Sequence, residues 1–84
     1  MKTIGQIVKE NRKRIGITQV QLANYANVST KFIIELENDK KTIELNKLYN
    51  VLDALDLTIK IINKKEIEQW KKELFIMMMK YAGL

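Results

Sequence analysis

The sequence of 84 residues has no cysteine, no histidine and no proline, and it has only three glycines. Without cysteine or histidine, the chain lacks disulfides, a thiolate nucleophile, an imidazole proton shuttle and the usual zinc ligands. We therefore expect no enzyme activity, no cofactor and no metal site. The absence of proline and the scarcity of glycine predict helices joined by short polar turns, without a flexible linker.

Long hydrophobic runs are also missing. No stretch approaches the roughly 20 apolar residues of a membrane span, and the start of the chain lacks the pattern of a signal peptide. We therefore expect a cytoplasmic protein. The chain is close to the length of roughly 70–80 residues below which one core is barely stable, so a second chain is expected to add stability.

The formal net charge is +5, and most of the surplus lies in the N-terminal half. Residues 1–41 contain 8 Lys/Arg against 4 Asp/Glu, whereas residues 42–84 contain 7 against 6. Such a surplus suits a polyanion such as DNA, although mildly basic domains without a nucleic-acid partner are common. Charge alone therefore does not decide the function.

Two capping boxes predict where the first helices begin. Thr3 with Gln6 predicts a helix that continues to about residue 15 and ends at Gly16. Thr18 with Gln21 predicts a second, shorter helix that ends near residue 26. The apolar residues that give the first helix its period are Ile4, Ile7, Val8 and Ile15.

A third helix is predicted after a sharp turn. Asn27 stands where the chain must turn, and after glycine asparagine best tolerates a left-handed backbone. Ser29 can cap the helix that follows, and Asn38 is expected to lie where it stops. The inward positions of this helix are Ile33 and Leu36, and the outward positions are Lys31, Ile34 and Glu35.

A fourth helix is predicted from a stripe of leucines, with Thr42 as its cap. Tyr49 and Val51 are expected at the border of that stripe. The leucines are Leu45, Leu48, Leu52 and Leu55.

Residues 57–62 change from a helical to an alternating period, which predicts a β-strand. The chain offers no second strand to pair with it. We therefore expect the strand to pair antiparallel with its own copy across the two-fold axis of a homodimer. The dimer contacts are expected at Leu57, Ile59, Ile61 and Ile62.

A fifth helix is predicted from residue 64 onward. Near its end, apolar side chains spread around all faces, which packing on a single core does not require. We expect this end to contact a second surface, either in the dimer or on helix 4, with binding of a partner protein as the alternative. The residues expected at that surface are Trp70, Leu74, Phe75, Met78 and Tyr81.

Residues 18–38 have the spacing of a helix-turn-helix motif, with an ordinary helical hairpin as the alternative. Ala23 is small where two helices would cross, and Asn27 occupies the turn. With the segments ITQVQLA (17–23) and ELEN (35–38), residues 4–57 resemble the Xre/Cro family of helix-turn-helix repressors. The sequence departs from that family at Asn27, where glycine is usual, and at Phe32, where a smaller residue is usual.

The resemblance implies a mainly α fold. Residues 1–56 would form a lambda-repressor-like, DNA-binding bundle of four helices. Residues 57–84 would add the dimerisation strand and a C-terminal helix to the same compact unit. Arg12 and Glu37 are implied to form the salt bridge of the family. Each would be costly to bury alone, which agrees with a pair. Two separate, solvated charges are the alternative.

The resemblance also implies a DNA-contacting surface. Gln19 matches a phosphate-contacting glutamine, Lys31 suits guanine acceptors, and Ile34 suits a thymine methyl. Glu35 could accept a hydrogen bond from cytosine or repel wrong sequences. Lys40 would lie near phosphate, with a solvated surface lysine as the alternative. The full implied set is Thr18, Gln19, Ser29, Thr30, Lys31, Ile34, Glu35, Asn38 and Lys40.

Four helices followed at once by the strand of residues 57–62 are similar to the HipB-type antitoxins. This similarity implies a homodimer that binds an inverted-repeat operator in double-stranded DNA, represses its own operon and neutralises a HipA-type kinase toxin. A phage-type repressor and a restriction-modification controller use the same frame. A protein that sequesters a partner without strong DNA binding is a further alternative.

Overall fold

The computed structural model describes residues 1–82, except for the side chains of residues 66, 67, 70, 81 and 82. Its helices are α1 (Ile4–Ile15), α2 (Gln19–Ala26), α3 (Thr30–Glu37), α4 (Leu45–Ala54) and α5 (Lys64–Ala82). The mainly helical fold and its five helices are thus confirmed. None of the described helices has both the length and the apolar character needed to cross a membrane.

Side-chain caps start each of the first three helices, as the sequence predicts. The hydroxyls of Thr3 and Thr18 each accept a hydrogen bond from the amide three residues further on, at 3.1 Å in both cases. The Ser29 hydroxyl accepts one from the Phe32 amide at 3.0 Å. These bonds satisfy backbone N–H groups that have no partner within the helix, and they fix where α1, α2 and α3 begin.

Left-handed residues end the first two helices. Gly16 closes α1 with φ 86°, and Asn27 closes α2 with φ 56°. Asp39 and Asp56 adopt the same conformation after α3 and α4, with φ 60° and 57°. The turn between α2 and α3 therefore forms with asparagine in place of glycine.

One apolar core joins the first four helices. Helix α2 packs against both α3 and α4, and α1 packs against α3. Leu22, Ile33, Val8 and Val51 are fully buried at its centre. The remaining buried apolar residues are Ala23, Ala26, Phe32, Leu36, Leu48, Leu52 and Leu55.

The buried stripe of α1 differs from the one that its apolar residues suggest. Of those residues only Val8 is buried, whereas Ile4, Ile7 and Ile15 are exposed. The inward positions are Gly5, Val8 and Arg12. Gly5 lies there because a side chain at that position would overlap the carbonyl oxygen of Leu36, so α1 crosses the end of α3 backbone to backbone.

Two predictions for α4 are wrong. Thr42 does not cap it, since α4 begins at Leu45 and Glu44, at the cap position, makes no side-chain cap bond. Leu45 is 55% exposed and Val51 is fully buried. The inward face consists of Leu48, Val51, Leu52 and Leu55, because these positions lie on the side of α4 that packs against the core and α2.

The predicted strand is absent from the described residues, and residues 58–63 form neither helix nor strand. A strand needs backbone hydrogen bonds to a neighbouring strand, and a single copy of this chain supplies none. Leu57 donates its amide to the Leu52 carbonyl at 2.8 Å and packs partly buried on the core. Ile59, Ile61 and Ile62 are exposed.

Helix α5 projects from the bundle. Its described residues make no extended contact with α1–α4, and its described side chains are all exposed. The Asn63 side chain accepts a hydrogen bond from the Lys65 amide at 2.8 Å and so marks the start of the helix. The apolar residues from Leu74 to Met79 are 40–63% exposed.

Candidate nucleic-acid interface

Helix α3 separates an inward from an outward face. Phe32, Ile33, Leu36 and Glu37 are buried, which fixes the rotation of the helix about its axis. The outward side chains include two long polar groups and one apolar residue, Ile34, at 41% exposure. All residues of α3 and its caps that were predicted to contact DNA lie on the outward side or at the ends: Ser29, Thr30, Lys31, Ile34, Glu35 and Asn38.

The N-terminus of α3 carries short hydroxyl side chains. Ser29 is exposed, and its oxygen is already bonded to the Phe32 amide. Its hydroxyl hydrogen can still be donated to an acceptor outside the protein. Thr18 has the same arrangement at the start of α2, where its oxygen accepts from the Gln21 amide.

Glu35 holds two lysines at the outward face. Lys40 Nζ lies 3.0 Å from Glu35 Oε2, and Lys31 Nζ lies 3.9 Å from Glu35 Oε1. The hydrogen bond from Lys40 and the positive charges of Lys40 and Lys31 hold the pKa of Glu35 below its usual value. The carboxylate is therefore ionised at neutral pH and offsets part of the positive charge that faces outwards.

A buried ion pair lies directly behind the start of α2. Arg12 Nε donates to Glu37 Oε2 at 2.7 Å, and Arg12 Nη2 donates to Glu37 Oε1 at 2.9 Å. The two side chains are 10% and 2% exposed. The hydrogen bond to Glu37 raises the pKa of Arg12, and Arg12 Nη1 also donates to the Ile17 carbonyl at 3.0 Å.

Gln19 joins this ion pair to the surface. Its Nε2 donates to Glu37 Oε1 at 3.3 Å, and the residue is half-buried. The sequence alone does not indicate this bond, because the two residues are 18 positions apart. The bond places the amide of Gln19 between a buried carboxylate and the solvent.

Lys47 is a charged residue near α3 that sequence reasoning missed. Its Nζ lies 6.0 Å from the centre of the Phe32 ring and 3.4 Å from Glu44 Oε1. It lines a shallow depression together with Lys31, Glu35 and Lys40. The only sequence signal was Phe32 itself, which is larger than the family norm and packs inwards, where Lys47 of α4 reaches its ring.

The residues predicted for dimerisation or partner binding lie apart from this surface. Ile59, Ile61 and Ile62 are exposed to solvent. Leu74, Phe75 and Met78 are exposed on α5, whereas the side chains of Trp70 and Tyr81 lie outside the described residues. Among the described side chains, no acidic cluster has the grouping of a metal site.

The fold and this surface define a class of protein. Two short helices joined by a three-residue turn, the second held with a polar face outwards, form the helix-turn-helix arrangement by which regulators bind DNA. The profile of the helix-turn-helix family matches residues 8–62. The chain belongs to this helix-turn-helix family, as an Xre-type member.

Two curated relatives are similar in sequence. The immunity repressor protein of Bacillus phage phi105 is 38% identical over 64 residues, which cover 76% of this chain and 44% of that repressor. The chain thus matches less than half of the length of that relative. An uncharacterised HTH-type transcriptional regulator, y4mF of Sinorhizobium fredii, is 37% identical over 59 residues, which cover 70% of this chain and 78% of that protein.

Solved structures share the fold. A chain of a HipA-HipB-O2-O3 complex superimposes with a TM-score of 0.65, covering 76% of this chain and 94% of that one, at 22% identity. At this identity the similarity establishes a HipB-like fold. The predicted resemblance to HipB is thus confirmed for the helical fold, whereas the strand that formed part of the predicted order is absent from the described residues.

Proposed function

We propose that the protein is a dimeric repressor that reads an inverted-repeat operator with α3. The observation that carries this proposal is the rotation of α3. Four buried residues hold the helix so that its exposed polar residues project together, in a shape that fits a major groove. Each copy in a two-fold dimer presents one such helix, so the half-sites lie about one helical turn of DNA apart.

The outward residues divide into two roles. Lys31 donates to guanine O6 or N7, and Ile34 contacts a thymine methyl, with Ser29, Thr30 and Glu35 at neighbouring base edges or flanking phosphates. Gln19 and Lys40 bind phosphates and add affinity without sequence information. The exposed positions of Thr18 and Asn38, at the ends of the two helices, suit further phosphate contacts.

The dimer is proposed to form through residues 57–62. The exposed Ile59, Ile61 and Ile62 support this, since a chain that carries three neighbouring isoleucines in solvent gains by covering them. Pairing with a second copy would give this segment the backbone partners that one chain lacks. The exposed α5 residues Leu74, Phe75 and Met78 are proposed to contact the dimer partner or another protein.

The regulated system is proposed to be a toxin–antitoxin operon of the HipB type, in which this chain represses its own promoter and binds a HipA-type kinase toxin. The HipB-like fold and the solved HipA-HipB complex support this proposal. A phage-type repressor is the second candidate, favoured by the identity to the phi105 immunity repressor. A kinase-like gene found beside this one would support the first candidate. A position of the gene within a prophage would support the second.

The test is selection of bound duplexes from a random library, with three proteins compared. The wild-type chain is expected to enrich an inverted repeat. Lys31→Ala should enrich a different repeat, because Lys31 reads bases, whereas Gln19→Ala should enrich the same repeat with weaker binding to every sequence. An unchanged sequence ranking for Lys31→Ala contradicts the proposed role of α3.

The alternative is a protein that sequesters a partner without strong DNA binding. It is tested by comparing the duplexes bound by the full chain with those bound by a chain that lacks residues 64–84. A shortened chain that still selects the same repeat supports the repressor. If neither form retains any duplex, and only the full chain captures a partner, the repressor proposal is wrong.

A further inference from the structure

We propose that the buried Arg12–Glu37 ion pair positions Gln19 for contact with DNA phosphate, and therefore acts in DNA binding as well as in folding. This inference rests on the proposed function of Gln19 as a phosphate contact. The observation behind it is a chain of hydrogen bonds that joins three residues. It leads from Arg12 on α1, through Glu37 on α3, to Gln19 at the first position of α2.

A carboxylate can only accept hydrogen bonds, and this decides which end of the Gln19 amide turns towards the core. Glu37 Oε1 accepts from Gln19 Nε2, so the amide nitrogen faces the ion pair and its oxygen cannot take that place. The nitrogen carries two hydrogens. One is donated to Glu37, and the second is left for an acceptor on the outer side, such as a phosphate oxygen.

Arg12 makes this arrangement compatible with a polyanion. A lone carboxylate behind the phosphate contact would repel the duplex, but the guanidinium neutralises it with two hydrogen bonds of 2.7 and 2.9 Å. The third Arg12 bond, to the Ile17 carbonyl, holds the turn that precedes α2 and so fixes the position of Gln19 at the start of that helix. Arg12 and Glu37 are therefore positioning residues, and Gln19 is the group that contacts DNA.

The test is a double-mutant cycle on DNA affinity, measured by fluorescence anisotropy with a labelled duplex of mixed sequence at fixed salt. In the wild-type background, Gln19→Ala is expected to weaken binding about tenfold, the value of one hydrogen bond to a charged group. In the Glu37→Gln background the same change should weaken binding less than about twofold. The neutral amide at position 37 can donate as well as accept a hydrogen bond, so the side-chain amide of Gln19 can turn either its nitrogen or its oxygen towards it.

Leu48→Ala provides the matched control, because it destabilises the core from α4 without touching the ion pair. In that background Gln19→Ala should still cost about tenfold. Equal losses in all three backgrounds would overturn the positioning role. That failure is distinct from failure of the proposed function, in which the wild-type chain binds no duplex.

A second measurement covers the case in which Glu37→Gln does not fold. In the folded wild-type chain, the side-chain NH₂ of Gln19 should give an NMR order parameter close to that of the backbone. The NH₂ group of Gln69 on α5, an exposed residue, serves as the mobile reference. An NH₂ of Gln19 as mobile as that of Gln69 contradicts the proposal.

Discussion

Arg12 and Glu37 face each other across the junction of α1 with the end of α3, joined by two hydrogen bonds of 2.7 and 2.9 Å. Both are buried, and together with Gln19 and Ile17 they use the polar atoms that the core would otherwise leave without partners. The pair ties α1 to α3, the helix that is proposed to read DNA. Its geometry agrees with the salt bridge implied by the family resemblance.

Breaking this pair from one side should destabilise the protein strongly. Arg12→Met leaves Glu37 charged and buried, which is expected to lower the free energy of unfolding by about 3–5 kcal/mol. The double variant Arg12→Met, Glu37→Leu removes both charges and should recover most of that loss. Urea unfolding measures both, and a loss below about 1 kcal/mol for Arg12→Met would show that the pair is solvated in solution.

Removing the acidic group from the outward face of α3 should strengthen non-specific DNA binding. Glu35→Gln releases Lys31 and Lys40 from their ion pairs and removes one negative charge from the face that is proposed to contact the duplex. Affinity for mixed-sequence DNA is therefore expected to rise several-fold, while the preference for the selected operator falls. Competition of operator against mixed-sequence DNA gives both quantities.

Glu10→Gln is the matched control for that change. Glu10 is also a carboxylate bonded to a lysine, Lys2, at 2.7 Å, but it lies exposed on α1. Glu10→Gln should alter neither the affinity for mixed-sequence DNA nor the preference for the operator. If the two variants behave alike, the effect of Glu35 is one of net charge and not of its place on α3.

The close crossing of α1 and α3 predicts an unusual response at Gly5. Glycine to alanine inside a helix normally adds up to about 1 kcal/mol of stability. At Gly5 the new methyl group would overlap the Leu36 carbonyl, so Gly5→Ala should instead lower stability by about 1–3 kcal/mol. Lys9→Ala, at an exposed site on the same helix, should stay within about 0.5 kcal/mol in the same thermal or urea unfolding experiment.

The first half of the fold could be predicted because its signals are local. The capping boxes at Thr3 and Thr18 and the cap at Ser29 involve residues three apart, and they set the starts of α1, α2 and α3. The left-handed residues that follow α3 and α4 were harder to predict from the sequence, because both are aspartates. Asp39 and Asp56 carry φ values of 60° and 57°, and nothing in their neighbours distinguishes them from other surface aspartates.

What could not be predicted depends on contacts between distant residues or chains. The burial of Gly5 and Arg12 in place of Ile4 and Ile7 follows from how closely α1 crosses α3. The bond from Gln19 to Glu37 joins positions 18 residues apart. The alternation of residues 57–62 predicts a strand, but a strand forms only when a partner is present.

The proposed dimer predicts a specific sensitivity in that segment. Ile61 is 93% exposed in the single chain, so Ile61→Asp should abolish self-association while it leaves the bundle folded. Ile15→Asp, at an exposed isoleucine on α1, should leave both unchanged. Sedimentation equilibrium reports the mass of each, and an Ile61→Asp chain of unaltered dimer mass would place the interface elsewhere.

The most direct measurement of DNA binding by the α3 face is the dissociation constant for one duplex over a range of salt concentrations. For the wild-type chain, a plot of log affinity against log salt should fall steeply, and Lys40→Ala should reduce the slope by about one, because Lys40 is proposed to contact phosphate. A chain that binds no duplex even at low salt, or a slope that Lys40→Ala leaves unchanged, would contradict DNA binding by this face.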